Sequence, residues 1–175
     1  MSARASLRVA ILSDTHGALD ERIAAQVLRC DVAVHAGDIG NAAVLTALQP
    51  RGGQVLAVRG NNDTAAKWPP ADHAVLNGLP ESALLELPGG ILAVVHGHRA
   101  GGTAGRHARL RRQFPAARAI VYGHSHRLVC DRDAPVWVLN PGAAGRARTF
   151  GGPSCLVLHA GIRVWRVEIL RFPEV

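Results

Sequence analysis

The sequence predicts an α/β protein in which two β-sheets pack face to face with α-helices outside them. Short apolar runs alternate with amphipathic stretches through the first 60 residues, an order typical of a parallel sheet with crossover helices. Seven more apolar runs follow closely after that, with one helical stretch among them, so we expect the second half to be antiparallel or mixed. A chain of 175 residues is expected to form one domain, over 1–175.

The N-terminal elements follow from hydrophobic periodicity. The run LRVAILSD over 7–14 predicts a buried strand, and 19–30 predicts an amphipathic helix with Ile23, Val27 and Leu28 on one face. The next predicted elements are a strand over 31–38, a helix over 41–48 and a strand over 54–60. This β-α-β-α-β order requires neighbouring strands to be parallel.

The middle and C-terminal elements are less regular. Segment 64–80 contains three prolines and predicts a surface excursion, and a helix is predicted over 103–114. The later predicted strands cover 82–87, 91–97, 119–123, 127–131, 135–140, 154–160 and 163–170. Trp137 and Trp165 lie in predicted strands that are rich in Val and Leu. For these strands the sequence does not decide between internal packing and a homodimer surface.

Composition indicates a cytoplasmic protein that does not enter a membrane. No apolar run has the length of a transmembrane helix, and the three cysteines are far apart with no CxxC pair, which favours a reducing compartment. The net charge of +7 comes almost entirely from arginines spread along the chain. Charge is concentrated only over 99–112, where a solvated helix face is the first interpretation. We therefore expect nucleic acid only as a substrate.

Polar residues follow five of the predicted strands, usually beside a glycine that allows a sharp turn. Ligands of open α/β sheets bind beyond the carboxyl ends of the strands. The five groups are Asp14-Thr15-His16, Gly37-Asp38, Gly60-Asn61, His96-Gly97-His98 and Gly123-His124-Ser125-His126. They offer oxygen and nitrogen ligands without a thiolate, which suits Mn, Fe or Zn rather than Ca. Seven such ligands are too many for one ion and suit two.

In extended Asp-x-His and His-x-His segments, alternate side chains project to the same side, so we expect extended backbone over 14–16 and 124–126. The alternative for Asp14 and Asp38 is that each caps the helix that follows it. His35, His73, His107 and His159 match no motif, and packing or solvent contact is the expectation for all four.

Five short motifs occur in the order found in a known superfamily: DTH (14–16), GD (37–38), GNND (60–63), HGH (96–98) and GHSH (123–126), with a trailing NPG (140–142). In this order they resemble the calcineurin-like metallophosphoesterase superfamily, and the short chain resembles its small bacterial and archaeal phosphodiesterases. The resemblance implies a four-layer sandwich of two mixed β-sheets flanked by α-helices. It also implies a metal-dependent phosphoesterase, first of all a phosphodiesterase, that hydrolyses a phosphate ester by attack of a hydroxide bridging two divalent metals.

The resemblance assigns roles residue by residue. The ligands of one metal would be Asp14, His16, Asp38 and His126. The ligands of the second would be Asp38, Asn61, His96 and His124. Asp38 would bridge the two ions, and Asp38, Asn61 and His124 would take a direct part in catalysis. Mn²⁺ is the expected ion, with Zn²⁺, Fe²⁺, Ni²⁺ and Co²⁺ as alternatives.

Further residues are expected around the metals. Asn62, His98 and Arg99 are candidate substrate contacts, with a plain surface role as the alternative for His98. Arg106 is a further candidate phosphate contact. We expect Asp63 to orient His16 or another ligand, since metal-bound histidines usually donate a hydrogen bond to a carboxylate or carbonyl. The NPG segment at 140–142 is expected to shape a loop under the site.

One position departs from the superfamily. Many members carry His directly after the metal-binding Asn, and that His is understood to protonate the leaving group or steady the phosphate. Here the residue is Asn62, whose amide cannot act as a general acid. General acid catalysis is typically worth about 10²–10⁴-fold, so a diester with a good leaving group is favoured. The alternatives are a phosphomonoesterase and, as in the retromer subunit with this fold, a weakly catalytic protein-binding scaffold.

Overall fold

A computed structural model describes residues 6–174 of the protein and contains two five-stranded sheets with helices packed on them. The elements in chain order are β1 (Ser6–Leu12), α1 (Glu21–Val27), β2 (Val32–His35), α2 (Ala42–Ala47), β3 (Gln54–Ala57), α3 (His73–Asn77), β4 (Ser82–Leu87), β5 (Gly90–Val95), α4 (Arg106–Gln113), β6 (Ala119–Val121), β7 (Leu128–Asp131), β8 (Trp137–Pro141), β9 (Ser154–Gly161) and β10 (Trp165–Arg171). A 3₁₀ turn at Pro70–Asp72 leads into α3.

The first sheet has the strand order β10-β9-β1-β2-β3. Strands β1, β2 and β3 are parallel, as the alternation of strands and helices predicted. Strands β9 and β10 are antiparallel and extend this same sheet, with Ile11 paired to Leu156. The C-terminal strands therefore join the N-terminal sheet, a pairing that the sequence did not indicate.

The second sheet has the order β4-β5-β6-β8-β7. Its outer pairs, β4 with β5 and β7 with β8, are antiparallel, whereas β5, β6 and β8 are parallel. Both sheets are thus mixed, which confirms the predicted class of two mixed sheets.

Alternate residues of β1 face two different layers. Val9 and Ile11 pack in the core between the sheets, whereas Ala10 and Leu12 pack in the core that also contains Ile23 and Val27 of α1. Complete burial of each large aliphatic side chain contributes about 1.5–3 kcal/mol. The core formed with Leu110 of α4 covers the outer face of the second sheet. The order helix, sheet, sheet, helix confirms the four-layer sandwich.

The two tryptophans of the C-terminal strands pack internally. Trp165 is buried in the core between the sheets, where its indole N–H donates a 2.8 Å hydrogen bond to the Pro88 carbonyl. Trp137 is half-buried against the same core. Of the two alternatives raised by the sequence, the structure supports internal packing for these side chains.

Segment 64–80 is largely exposed, as predicted for a surface excursion, but two of its side chains anchor it to the rest of the protein. The segment forms the 3₁₀ turn and α3, and both Trp68 and Leu76 are buried in a small core with Ile39 and Val44. Pro70 does not prevent the turn, because it occupies the first position, where the absent N–H breaks no hydrogen bond.

The structure also bears on the membrane and on the cysteines. Among residues 6–174, no helix is both long enough and apolar enough to cross a membrane. Cys30, Cys130 and Cys155 are free thiols. Burial raises the pKa of the Cys155 thiol to about 12, so this group stays protonated at neutral pH.

Candidate metal centre

The loops after five strands meet at one edge of the sandwich. Strands β1, β2 and β3 are neighbours in the first sheet, and β5 and β6 are neighbours in the second. Backbone hydrogen bonds join the loops within each sheet, from the Asp14 N–H to the Gly37 carbonyl and from the Gly123 N–H to the His96 carbonyl, each 3.0 Å long. This arrangement brings all seven predicted metal ligands together.

The backbone at the site is left-handed rather than extended. Five of the seven predicted ligands have positive φ: Asp14 (55°), His16 (47°), Asp38 (55°), His124 (67°) and His126 (57°). The prediction of extended backbone over 14–16 and 124–126 is therefore wrong, although the side chains do converge. Strained conformations of this kind cost about 1–3 kcal/mol each and persist where the surrounding structure enforces them, typically at functional sites.

Asp14, His16 and His126 form the first cluster. The His126 Nε2 atom lies 3.4 Å from Asp14 Oδ1 and 3.1 Å from His16 Nε2. Since a carbonyl only accepts, the 3.1 Å contact of His126 Nδ1 with the Ala147 carbonyl makes Nδ1 the donor and leaves a lone pair on Nε2. Asp14 Oδ1 is buried and has no hydrogen-bond partner in the described part of the chain. These atoms suit a cation.

The second cluster consists of Asp38, Asn61, His96 and His124. His96 Nδ1 donates a 2.8 Å hydrogen bond to the Ala36 carbonyl, so Nε2 carries the lone pair when the ring is neutral. That Nε2 lies 3.1 Å from Asn61 Oδ1 and 3.4 Å from Asp38 Oδ2, and His124 Nδ1 lies 3.1 Å from the same amide oxygen. Four potential ligand atoms thus surround one region.

Two carboxylates lie between the clusters. Asp38 Oδ2 is 3.7 Å from His16 Nε2 and 3.4 Å from His96 Nε2, which supports the bridging position predicted for Asp38. Asp14 is also central, because it belongs to two sets of potential ligand atoms that each lie within 4.8 Å of one another. One set contains Asp14, His16 and His126, and the other contains Asp14, Asp38 and His96. The donor set, the fixed histidine tautomers and the unpaired Asp14 oxygen all fit divalent metal ions.

The two carboxylates have opposite pKa shifts. Burial raises the pKa of Asp14 to about 7, although attraction to His96 and the hydrogen bond donated by the Ser13 hydroxyl oppose this. Burial also acts on Asp38, but hydrogen bonds with His96 and Asn62 outweigh it and lower the Asp38 pKa below its usual range. Asp38 is therefore an anion at neutral pH, whereas Asp14 needs a nearby cation to be fully ionised.

The four histidines of the two clusters also differ in the direction of their pKa shifts. Burial lowers the pKa values of His16, His124 and His126, so their rings are neutral at pH 7 and keep a lone pair for a metal. Burial opposes protonation of His96 as well, but its hydrogen bond with and attraction to Asp38 raise its pKa overall.

Asn62 holds Asp38 in place. Its backbone N–H and its side-chain Nδ2 donate to the two Asp38 oxygens, at 2.8 and 2.7 Å. Lys67 Nζ donates to Asn62 Oδ1, which fixes the orientation of the amide. Gly60 allows this loop to approach, because a Cβ atom there would lie 2.1 Å from Asp38 Oδ1. Lys67 belongs to no motif, and the one sequence signal for its role is that it is the only lysine in the chain.

The hydrogen bonds described for Asp63 go neither to His16 nor to another predicted ligand, so the prediction that it orients one of them is wrong. One Asp63 oxygen accepts hydrogen bonds from the Ile39 and Gly40 N–H groups and from the Trp68 indole, and the other accepts from the Gly60 N–H. With four donors, the carboxylate ties the loops after β2 and β3 together beneath the site.

The helix-cap alternative also fails. Helix α1 is capped by Asp20, whose side chain accepts from the Arg22 N–H at 2.9 Å. Helix α2 is capped by Asn41, which accepts from the Val44 N–H at 3.1 Å. Asp14 lies upstream of the first cap and Asp38 lies upstream of the second, and neither side chain caps the helix that follows it.

The predicted substrate residues lie at the rim of the site. His98 and Arg99 share the wall of a depression of about 410 Å³ with Asn61. The His98 ring centroid is 5.5 Å from that of His96, and its buried Nδ1 has no hydrogen-bond partner within residues 6–174. The Arg99 side chain is 74% exposed and lies 3.5 Å from Glu81. Arg106 instead donates to the Gly101 carbonyl and is largely buried, so it stabilises its own loop.

Two residues outside the ligand set support the loops. His35 is fully buried; its Nε2 lies 2.9 Å from the Thr15 hydroxyl, and its Nδ1 accepts from the Gly37 N–H at 3.2 Å. The polar role of His35 between two motif loops goes beyond the predicted packing. Asn140 donates to the Gly123 carbonyl and to Ser125 Oγ, so the NPG segment does lie under the site as predicted.

The remaining histidines make other contacts. His107 contacts Asp131 and the Tyr122 hydroxyl, and His159 contacts Glu168. His73 contacts the Ala65 carbonyl. None of the three belongs to either cluster.

The fold and the ligand set define the class of protein. The family model for the calcineurin-like phosphoesterase superfamily domain matches residues 7–161, and the chain belongs to this superfamily. The superfamily typically binds divalent metals, in agreement with the clusters described above. No curated protein matches the chain.

Solved structures share the fold over nearly the whole chain. A single mutant of Vps29 from Entamoeba histolytica superposes with a TM-score of 0.74 at 18% identity, covering 95% of this chain and 99% of its own. A predicted phosphoesterase from Streptococcus pneumoniae TIGR4 has a TM-score of 0.67 at 22% identity, with 99% and 94% coverage. An archaeal phosphodiesterase has a TM-score of 0.66 at 20% identity, with 94% and 100% coverage. At these identities the likeness shows the fold alone.

Proposed function

We propose that the protein is a metal-dependent phosphodiesterase with two divalent ions, Mn²⁺ or one of Zn²⁺, Fe²⁺, Ni²⁺ and Co²⁺. The observation that carries the proposal is the convergence of lone-pair atoms at the strand ends. The buried, unpaired Asp14 Oδ1 faces His126 Nε2 at 3.4 Å, and His96 Nε2 lies 3.4 Å from Asp38 Oδ2. Carboxylate, amide and imidazole groups that converge in this way form a ligand set that suits divalent metal ions.

The proposed ligands follow the two clusters. One ion would bind Asp14, His16, Asp38 and His126, and the other would bind Asp38, Asn61, His96 and His124. When bound, such a pair polarises the phosphoryl oxygens and supplies hydroxide at neutral pH. Asn61 contributes a neutral amide oxygen, so the centre gains a ligand without a third negative charge opposing an anionic substrate.

The chain's own residues prepare the centre for this role. Asn62 orients Asp38 through two hydrogen bonds and helps to keep it ionised. Backbone carbonyls fix the tautomers of His96 and His126. These contacts hold the ligands in place before substrate arrives, which is how metal centres are commonly tuned.

The preference for diesters rests on Asn62. Its Nδ2 is occupied by Asp38 and its Oδ1 by Lys67, and an amide has no proton to give at accessible pH. A monoester with a poor leaving group depends more on a general acid than a diester with a good one. The archaeal phosphodiesterase among the structural neighbours is consistent with this preference.

A scaffold is the second candidate function, because Vps29 proteins are prominent among the structural neighbours. A protein that had lost catalysis would be expected to have lost ligands as well, and here all seven positions carry ligand residues that come together. We therefore rank the enzyme first.

Hydrolysis assays test the proposal directly. Metal-stripped protein is supplied with Mn²⁺, Zn²⁺, Fe²⁺, Ni²⁺ or Co²⁺ in turn and assayed with bis-p-nitrophenyl phosphate and p-nitrophenyl phosphate. We expect diester turnover that requires metal, is lost in His124→Ala and is retained in the control His159→Ala. Wild-type protein without turnover in any of the five metals would instead support the scaffold.

A further inference from the structure

A large open cleft adjoins the metal centre on the side of His126. It has a volume of about 860 Å³ and is lined by the start of α1, by loop 146–150 and by residues near the C-terminus. Ligand sites usually span about 300–1,000 Å³, so the cleft can hold a group the size of a nucleoside. We call it the Phe150 cleft, after the aromatic residue in its wall.

Arg148 connects the Phe150 cleft to the metal centre. Its guanidinium lines the cleft, and Nη2 lies 3.3 Å from His126 Nε2, where an arginine N–H can only donate. The Nε2 atom of His126 has one lone pair, so it can bind a metal ion or accept the hydrogen bond from Arg148, but not both at once. With the metal on Nε2, the planar guanidinium is available for an anionic oxygen, which it can bind through two N–H groups.

Phe150 presents an aromatic ring to the cleft. The residue is 48% exposed, and it is the one aromatic side chain among the exposed large hydrophobic residues within 6–174. Arg127 lies over the ring with its Cζ 4.1 Å from the centroid, a cation–π contact that holds the ring in place. Since one guanidinium covers one face, the exposed part of the ring remains open to a second planar group.

The backbone of this loop is strained in the same way as the metal-binding loops. Arg148 and Phe150 have positive φ values of 53° and 44°, and they are the two non-glycine residues within 6–174 that share this feature with the predicted ligands. Strain confined to two cleft residues and the metal ligands is consistent with one continuous functional surface.

The mixed charge of the cleft limits the kind of ligand that it can bind. Its lining contains three arginines and three carboxylates: Arg22, Arg146, Arg148, Asp20, Glu21 and Glu174. Two of the carboxylates have internal partners, Asp20 with Arg22 at 2.8 Å and Glu174 with the Thr149 hydroxyl at 3.0 Å. A polyanion would meet these acids as well as the arginines. One phosphate joined to a neutral planar group fits the mixture better.

From these observations we propose that the Phe150 cleft binds the base of a nucleoside phosphodiester with a single phosphate. The base stacks on Phe150, and Arg148 pairs with the phosphoryl group at the boundary with the metal centre. The place of the cleft in catalysis rests on the proposed phosphodiesterase function, whereas nucleotide binding itself does not.

Two substrates with the same leaving group test the cleft. Thymidine 5′-(p-nitrophenyl phosphate) carries a base, and methyl p-nitrophenyl phosphate does not. We expect the wild type to have the lower KM for the thymidine ester, and Phe150→Ala to raise that KM about tenfold while leaving the methyl ester unchanged, since base–aromatic stacking supports a change of this size. Arg127→Ala should also raise the KM for the thymidine ester. The matched control is Arg132→Ala, which removes the Arg132–Trp137 contact elsewhere.

Calorimetric titration with thymidine 5′-monophosphate gives a readout independent of turnover. We expect Phe150→Ala to weaken binding of the nucleotide to Mn²⁺-loaded protein about tenfold and to leave binding of methyl phosphate unchanged. If the wild type hydrolyses neither ester but shows this pattern, the cleft is supported and the proposed catalytic function fails. Equal nucleotide binding by wild type and Phe150→Ala overturns the cleft proposal even if diesters are hydrolysed. Tighter binding of oligothymidylate than of the mononucleotide overturns the restriction to a single phosphate.

Discussion

Burial of Asp14 links ionisation, stability and metal binding at a single residue. The carboxyl is buried, and its pKa is raised to about 7 from 3.8. In metal-free protein, the folded state therefore keeps a proton on Asp14 that the unfolded chain releases above pH 4. The resulting contribution to stability is complete below pH 3.8 and is lost as pH rises through 7.

Asp14→Asn removes this pH dependence, because an amide does not titrate. A shift of about three pH units corresponds to about 4 kcal/mol. We expect the metal-free variant to gain up to this much relative to wild type between pH 4 and 8. Urea unfolding at several pH values measures the difference. Asp133→Asn, a change at an exposed carboxylate, serves as the control, and a constant difference across the pH range for Asp14→Asn contradicts the expectation.

Gly60 is required for a different reason, namely the space that Asp38 occupies. In Gly60→Ala, the new Cβ would lie 2.1 Å from Asp38 Oδ1 and 2.2 Å from the Asp38 backbone nitrogen, so the carboxylate must move. Loss of supporting contacts around a metal typically costs about 10–100-fold in affinity, and we expect a loss in this range.

Calorimetric titration of Mn²⁺ into metal-stripped protein measures the effect of Gly60→Ala. The matched control is Gly102→Ala, because a Cβ atom at Gly102 meets nothing within 4 Å. Unchanged Mn²⁺ affinity in Gly60→Ala would show that Asp38 is not a ligand in the predicted way.

At the scale of elements, periodicity predicted the helices and strands that form the two sheets, but not how their ends behave. The apolar run within 31–38 was predicted to lead directly into Gly37 and Asp38, and β2 ends at His35, just before them. The residues beyond it turn into left-handed conformations, which Asp and His adopt more often than most residues but still uncommonly, so the residue types alone do not predict them. The convergence of the candidate ligands was nonetheless predictable, because the order and spacing of the motifs do not depend on backbone angles.

Helix α3 was missed because its stabilising contacts are tertiary. With five residues it is too short for its own propensity to be decisive, and it is held by the packing of Leu76 with Trp68, Ile39 and Val44. Such packing cannot be read from a segment that contains three prolines.

Leu76→Ala tests whether α3 is a packed element. We expect a loss of about 2–5 kcal/mol in the free energy of unfolding, because a buried leucine is replaced by a cavity. Val75 lies on the same helix and is 42% exposed, so Val75→Ala should cost far less. Similar small effects of the two substitutions in denaturant unfolding would show that Leu76 does not anchor the segment.

At the scale of the whole molecule, the candidate centre lies between the two sheets. The first sheet supplies the loops with Asp14, His16, Asp38 and Asn61, and the second supplies those with His96, His124 and His126. A bound metal would therefore connect the sheets as well as the loops. This arrangement predicts a coupling between metal binding and global stability.

Divalent metal should raise the unfolding temperature of the metal-stripped protein. A ligand that binds only the folded state at about 100 times its Kd stabilises by about 2.7 kcal/mol. We expect Mn²⁺ to produce a shift of this order in thermal unfolding, and EDTA to reverse it. His124→Ala and Asp14→Asn should each reduce the shift, whereas a full shift in both variants would place the metal elsewhere.

The pairing of β9 with β1 has a consequence for the order of folding. β1, the central strand of the first sheet, gains its second neighbour only when β9 pairs with it, as Ile11 does with Leu156. Every proposed metal ligand precedes residue 127 in the chain. During synthesis, the ribosome therefore releases all the ligands while one side of β1 is still an open strand edge. Pairings between such distant segments form slowly, and open edges attract other chains. Until the first sheet closes, β1 therefore offers an edge on which other chains can pair, and a chaperone that covers this edge would protect the chain.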